Sequence, residues 1–158
     1  MKKGLLTILS LGVGAVGGAI VCKKVEDKII SVKEQKVDKF KSYYNILIKW
    51  MQLKQDKKQL KDYLSAKGYQ SVAIYGMGEL GNCLYAELKK EGQTVAYAID
   101  QNASSTFSDI EVYGGEDTLP KTDAIIVTAV FAFDEIVENL SDKTDAAIIS
   151  LEDMIYDI

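Results

Sequence analysis

Three successive rhythms of hydrophobic and polar positions run along the chain. From Gly4 to Cys22 no charge interrupts the run, and Lys2, Lys3, Lys23 and Lys24 bracket it. Those 19 residues reach roughly 28 Å as a helix, close to the hydrocarbon thickness of a bilayer, which predicts a membrane-spanning anchor within residues 1–24. Gly14 and Gly18 have the spacing that lets two membrane helices approach closely. From Val25 to about Ala66 there is neither Pro nor Gly, and Leu, Ile, Lys, Gln and aromatic residues predominate, as in a helix. Phe40, Tyr44, Leu47 and Met51 recur at helical intervals, and Tyr43, Leu47, Trp50 and Lys54 continue the stripe. Such a face is expected to pack on a globular domain or on a sister helix, the second as a coiled-coil seam joining a homodimer. Gly68 is placed to close this helix, so residues 25–68 read as a basic amphipathic connector.

From residue 69 the rhythm shortens. Ser71 to Tyr75 is an apolar, partly β-branched run of the kind found in buried parallel strands. Asn82 to Glu91 has helical composition and ends at Gly92, and Thr94 to Ile99 reads as a second strand. Ile110 to Tyr113 predicts a short strand, Gly114-Gly115 a turn, and Asp123 to Thr128 a central buried strand. Phe131 to Leu140 predicts an amphipathic helix with Phe133, Ile136, Val137 and Leu140 inward. Ala146 to Ser150 and Leu151 to Tyr156 complete the pattern as a last strand and a closing helix. Alternating strands and helices imply an α/β domain over residues 69–158, and right-handed crossovers arrange its five parallel strands in the order 3-2-1-4-5.

Charge divides the chain at the same place. Residues 1–70 hold 15 Lys against 6 acids, and residues 71–158 hold 4 Lys against 17. The basic part suits anionic headgroups and the acidic part suits solution, which argues against nucleic acid as a partner. Seven lysines between Lys23 and Lys41, against Lys2, Lys3 and the amino terminus, place the globular part in the cytoplasm of a single-pass protein of the cell membrane. Ile20-Val21-Cys22 running straight into lysines lacks the small residues of a signal cleavage site, and Val21 is too large for a lipoprotein signal. Cys22 and Cys83 offer neither a disulfide framework nor metal-ligand spacing. The chain has no His, which removes the commonest general base and the usual zinc ligand. No catalytic residue and no metal ligand is assigned.

The chemistry lies between the first two strands. Gly76-Met77-Gly78-Glu79-Leu80-Gly81 is a complete G-x-G-x-x-G, and Asp100 follows Gly81 by 19 residues at the end of the second strand. Strand, turn, helix, strand and acid form the frame of the Rossmann dinucleotide-binding fingerprint. In that frame Gly76 allows the tight turn, Gly78 lets a pyrophosphate approach the backbone, Gly81 lets the helix pack closely, and Asp100 holds ribose hydroxyls. Amides at the helix start would hold the phosphates, whereas Glu79 would repel them if it turned inward. Thr128 and Ala129 are predicted at the switch point of the sheet, and Asn102 beside the same crevice. The candidate contacts are therefore Gly76, Met77, Gly78, Glu79, Leu80, Gly81, Asp100, Asn102, Thr128 and Ala129. Tyr85 and Lys89 form a Tyr-x-x-x-Lys, but within the first helix, too early for a reductase pair, and read as surface residues.

The stretch Gly68 to Gly81 and the run Ala98-Ile99-Asp100-Gln101-Asn102 resemble the small Rossmann-like domains that accompany bacterial surface-polysaccharide enzymes. These include the nucleotide-sugar-binding N-terminal domain of sugar O-acyltransferases and nucleoside-diphosphate-sugar epimerase-like domains. The resemblance covers about residues 40–158. It implies a nucleotide-sugar or an NAD(P)-type ligand and an accessory or regulatory role in cell-surface polysaccharide metabolism. The acyltransferases' catalytic His lies on a separate β-helix that has no counterpart here, which favours a binding module over an enzyme. An NAD-dependent enzyme subunit and a structural protein with a degenerate site are the competing expectations.

Overall fold

A computed structural model of the chain describes residues 32–34, 36–106 and 108–158. The apolar run Gly4–Cys22 and the start of the basic connector lie outside these residues. Among the described residues no helix is long and apolar enough to cross a membrane. The chain divides into two compact units between Tyr43 and Tyr44. In the first, residues 32–34 and 36–43 are helical, with Val37 and Phe40 exposed. Lys41 pairs with Asp38 at 3.7 Å, and the Lys39 ammonium lies 5.6 Å from the centroid of the Tyr43 ring.

The second unit is α/β. Its elements are α1 (residues 44–55), α2 (Leu60–Ala66), β1 (Ser71–Tyr75), α3 (Glu79–Glu91), β2 (Thr94–Ile99), β3 (Val112–Tyr113), β4 (Ala124–Val127), α4 (Phe133–Leu140), β5 (Ala147–Ser150) and α5 (Leu151–Asp157). The five strands are all parallel, in the order β3-β2-β1-β4-β5. Val72 to Tyr75 and all of β4 are buried because neighbours and both faces cover them, which is why these strands read as unbroken apolar runs. Asp123 fixes their common start by accepting hydrogen bonds from the Gln70 and Ser71 amides, both at 2.8 Å.

One face of the sheet, made by Ala73, Tyr75, Tyr97, Ile99, Ile125 and Val127, packs on Ile136 and Leu140 of α4. The connection from β3 to β4 adds Leu119 to this layer and contains no helix. The Tyr97 hydroxyl fastens that connection by donating to the Pro120 carbonyl at 2.8 Å. Successive strand residues point to opposite faces, so Val72, Ile74, Ala98 and Ile126 face the other way. Helix α3 packs against β1 and β2, α5 against β5, and α2 against both α3 and α5.

Several boundaries differ from those predicted. Helix α3 starts three residues earlier, inside the glycine motif, because Gly78 in extended backbone serves as its N-cap. A 3-10 turn at Val130–Ala132 precedes α4, and β3 contracts to two residues. The connector, expected to be one helix to Ala66, breaks after residue 55. There the Lys58 amide donates to the Leu53 carbonyl and the Lys57 amide to that of Lys54. This is a Schellman closure with Lys57 at φ 59 in the left-handed position. The same pair of bonds ends α2 at Gly68 and α3 at Gly92, where glycine supplies the positive φ.

The face of α1 that packs coincides with the predicted stripe only at Trp50 and Lys54. Ile46, Trp50 and Leu53 are buried, whereas Tyr44, Leu47 and Met51 are exposed. Polar ties reinforce the buried side: the Trp50 indole donates to Glu87 of α3 at 3.2 Å, and Lys54 pairs with the same carboxylate at 2.5 Å. Glu91, one turn further along α3, accepts from the Lys61 amide at the start of α2. An indole ring and a carboxylate two helices away therefore decide the orientation of α1, and periodicity alone does not register them.

Candidate functional site

The end of β1 turns sharply at Gly76, whose φ of 93° is costly for residues with a Cβ. Its amide donates to the Ile99 carbonyl at 2.8 Å, so the turn leans on the end of β2. Its carbonyl accepts from the Thr128 hydroxyl at 2.7 Å, and the same hydroxyl lies 3.1 Å from the Tyr75 carbonyl. A Cβ at Gly76 would come within 2.8 Å of the Thr128 oxygen. Gly81 lies so close below the turn that a Cβ there would overlap the Gly76 carbonyl. Gly78 contrasts with both: nothing lies within 4 Å of the position its Cβ would take.

Asp100 belongs to this turn. One carboxylate oxygen accepts from the Met77 amide at 2.8 Å and the other from the Asn102 amide at 2.8 Å. The fingerprint's acid thus sits beside the glycine loop, where it orders the backbone on both sides of the crevice. Each carboxylate oxygen has two lone pairs, and the hydrogen bonds to the two amides use one on each. Acceptor capacity remains for the hydroxyls of a sugar ring.

Beyond Met77, the first-turn amides of α3 have no intrahelical acceptors, and no side chain caps the helix at Gly78. The helix is 13 residues long and carries partial positive charge at this end. An anion approaching through the open space at Gly78 meets those amides. Glu79 is exposed in that turn and places an acidic side chain on the same rim. The arrangement therefore suits a ligand whose phosphate charge is met by backbone dipoles and whose hydroxyls meet a carboxylate.

Of the ten residues expected at the site, Gly76, Met77, Gly81, Asp100 and Thr128 are joined by the contacts described. Ala129 borders the turn, its amide 3.8 Å from the Cβ position of Gly76. Gly78 and Glu79 form the open rim, and the Leu80 side chain is buried. Asn102 enters through its backbone, its amide bound by Asp100 and its carbonyl accepting from Ser105 and Thr106. Asn82 was not anticipated. Its side-chain amide donates to the Met77 and Gly78 carbonyls at 2.9 and 3.0 Å, tying the loop to the helix it precedes. The signal was an Asn one helical turn after the middle glycine, where a short amide reaches back to free backbone groups.

Tyr85 and Lys89 are on the outer part of α3. The Lys89 ammonium pairs with Asp109 at 3.1 Å and lies 5.3 Å from the Tyr85 ring centroid, and these contacts hold its charged form and raise its pKa, the Asp109 bond foremost. A separate cleft of about 540 Å³ opens between the starts of α4 and α5, lined by Phe131, Phe133, Asp134, Glu135, Glu152 and Asp153 among others. It includes no residue of the glycine motif. No family model, curated protein or solved structure matches the chain.

Proposed function

We propose that the chain is a membrane-anchored nucleotide-binding module that presents a Rossmann-like domain on the cytoplasmic side and takes a nucleotide-sugar or an NAD-type ligand. Support comes from one juxtaposition: the uncapped start of α3 opens at Gly78, and the Asp100 carboxylate is fastened to the neighbouring Met77 amide. Amide dipoles take the phosphates, and Asp100 takes the ribose or sugar hydroxyls. The apolar run Gly4–Cys22, bracketed by lysines, supports the anchor. The sequence resemblance supports an accessory or regulatory role in cell-surface polysaccharide metabolism.

Calorimetric titration of the purified chain with UDP-sugars and with NAD tests this reading. Binding is expected to be lost in Gly78→Asp, because an aspartate at the N-cap places its own carboxylate on the amides that a phosphate would need. Absence of heat at millimolar ligand in the unaltered chain refutes the proposal. Turnover of a bound ligand, abolished by Asp100→Ala, would reassign the chain as an NAD-dependent enzyme subunit.

A further inference from the structure

The second unit has a helix that is apolar on two sides. Ile46, Trp50 and Leu53 bury one side of α1 to 0, 6 and 2% exposure. On the opposite side Tyr44, Leu47, Ile48 and Met51, at spacing i, i+3, i+4 and i+7, remain 64, 45, 36 and 52% exposed. Residues so spaced share one stripe along a helix. A contiguous exposed apolar stripe marks a surface that something covers.

We propose that this outward face of α1 docks on the interfacial region of an anionic lipid bilayer. Charge complementarity selects that occupant. Residues 44–70 carry six Lys, of which Lys54 is paired with Glu87 of α3, against two Asp, whereas residues 71–158 carry four Lys against 17 acids. A negatively charged surface therefore attracts the α1–α2 end of the unit and repels the rest, which turns α1 toward the lipid. Interfacial helices share this composition, with aromatic, Leu and Met residues entering the headgroup boundary and lysines around them. A second copy of the chain fits less well. Face-to-face packing brings two lysine-rich ends together, and even a large aromatic side chain offers at most about 250 Å². Four partly exposed ones fall well short of the roughly 800 Å² per partner of a stable interface.

The inference deepens the membrane reading above and rests on it in one respect, that the Gly4–Cys22 run keeps the chain at the bilayer. The test uses the full chain with Cys22→Ser and Cys83→Ser, and an environment-sensitive fluorophore on Leu47→Cys, Met51→Cys or, as a control on α2, Ser65→Cys. Each is mixed with phosphatidylcholine vesicles with or without phosphatidylglycerol, containing nitroxide-labelled lipid as quencher. The labels at 47 and 51 are expected to shift to the blue and be quenched only with phosphatidylglycerol. Both effects should disappear in high salt, and the label at 65 should stay aqueous throughout. Labels at 47 and 51 that remain aqueous on phosphatidylglycerol vesicles overturn the proposal. So does a blue shift that is independent of phosphatidylglycerol and grows with protein density, which would assign the face to a second copy. Cosedimentation in high salt reports the anchor separately. If the chain then leaves the vesicles, the anchor reading is lost, and the salt-sensitive signal at residue 47 still decides the face.

Discussion

Two glycines three residues apart in one motif are expected to respond oppositely to the same methyl group. A Cβ at Gly81 would lie 3.0 Å from the carbonyl carbon of Gly76 and overlap its oxygen. Carbon atoms in ordinary contact are about 3.5–4.0 Å apart, so the turn must retreat by at least half an ångström at the carbon and further at the oxygen. Neither neighbour is a flexible side chain. The displaced carbonyl is the one that accepts from Thr128, so strain and a weakened, partly buried hydrogen bond act together. Gly81→Ala should destabilise the second unit by about 2–3 kcal/mol. At Gly78 the added methyl enters open space, and a φ of −71° is ordinary for alanine. Loss of glycine's small N-cap preference and the reduced freedom of the unfolded chain oppose each other, so Gly78→Ala should stay within about 0.5 kcal/mol of the parent. Urea unfolding followed by circular dichroism separates them: the midpoint falls for Gly81→Ala at unchanged slope and barely moves for Gly78→Ala. Equal effects of the two substitutions would refute the geometry of the turn. If nucleotide binding occurs, Gly78→Val should lose it while keeping its fold, which a role in packing alone does not predict.

Other substitutions test the surrounding contacts. Asp100→Ala removes the acceptor of two backbone amides and should cost about 1–2 kcal/mol in urea unfolding even without ligand; a neutral result would mean that the carboxylate does not order the turn. Lys57→Gly relieves a left-handed lysine at the expense of a freer unfolded chain, for a net gain of about 0.5 kcal/mol measured the same way. Burial, opposed by the Lys61 amide and aided by the Glu87 carboxyl, raises the Glu91 pKa. A raised folded value means that the stabilising contribution is complete below the ordinary carboxylate range and lost as pH rises through the raised value. Glu91→Gln, which keeps an acceptor for Lys61, should therefore melt a little higher than the parent near neutrality, by no more than a few tenths of a kcal/mol because solvent screens the site. That gain should vanish in acid, and a larger gain in acid than at neutrality would contradict the assignment.

The parallel sheet and its strand order were legible because buried strands leave uninterrupted apolar runs and right-handed crossovers allow few arrangements. Val72 to Tyr75 and Ala124 to Val127 show this most directly. Helix ends were legible where the residue type reports the backbone. Gly68 and Gly92 close α2 and α3 in left-handed conformation, and both were readable as stops. Lys57 closes α1 by the same two hydrogen bonds, yet nothing in a lysine-rich run distinguishes it. The cost of its positive φ is met by tertiary contacts that arise only once Trp50 and Lys54 meet Glu87.

The same logic explains why only Trp50 and Lys54 of the predicted stripe turn inward. Tyr44, Leu47 and Met51 match a helical period as well as Ile46, Trp50 and Leu53 do, so α1 presents two apolar faces and periodicity cannot rank them. What ranks them is the carboxylate of Glu87, which satisfies the indole N–H and the Lys54 ammonium on one side only. Polar partners distant in sequence thus fix which apolar face is internal, and the other is left for an external surface. At the glycine turn the motif indicated the position of Asp100 but not its partners. Its bonds to Met77 and Asn102 make it a brace for the loop, so a ligand of the proposed kind would share that carboxylate with the backbone. A ligand that displaced both amides would forfeit two hydrogen bonds of the folded chain, whereas one that used the remaining lone pairs would not. Under the proposed nucleotide-binding reading, a diol would therefore be taken by the remaining lone pairs of Asp100, and the phosphates by the open side at Gly78.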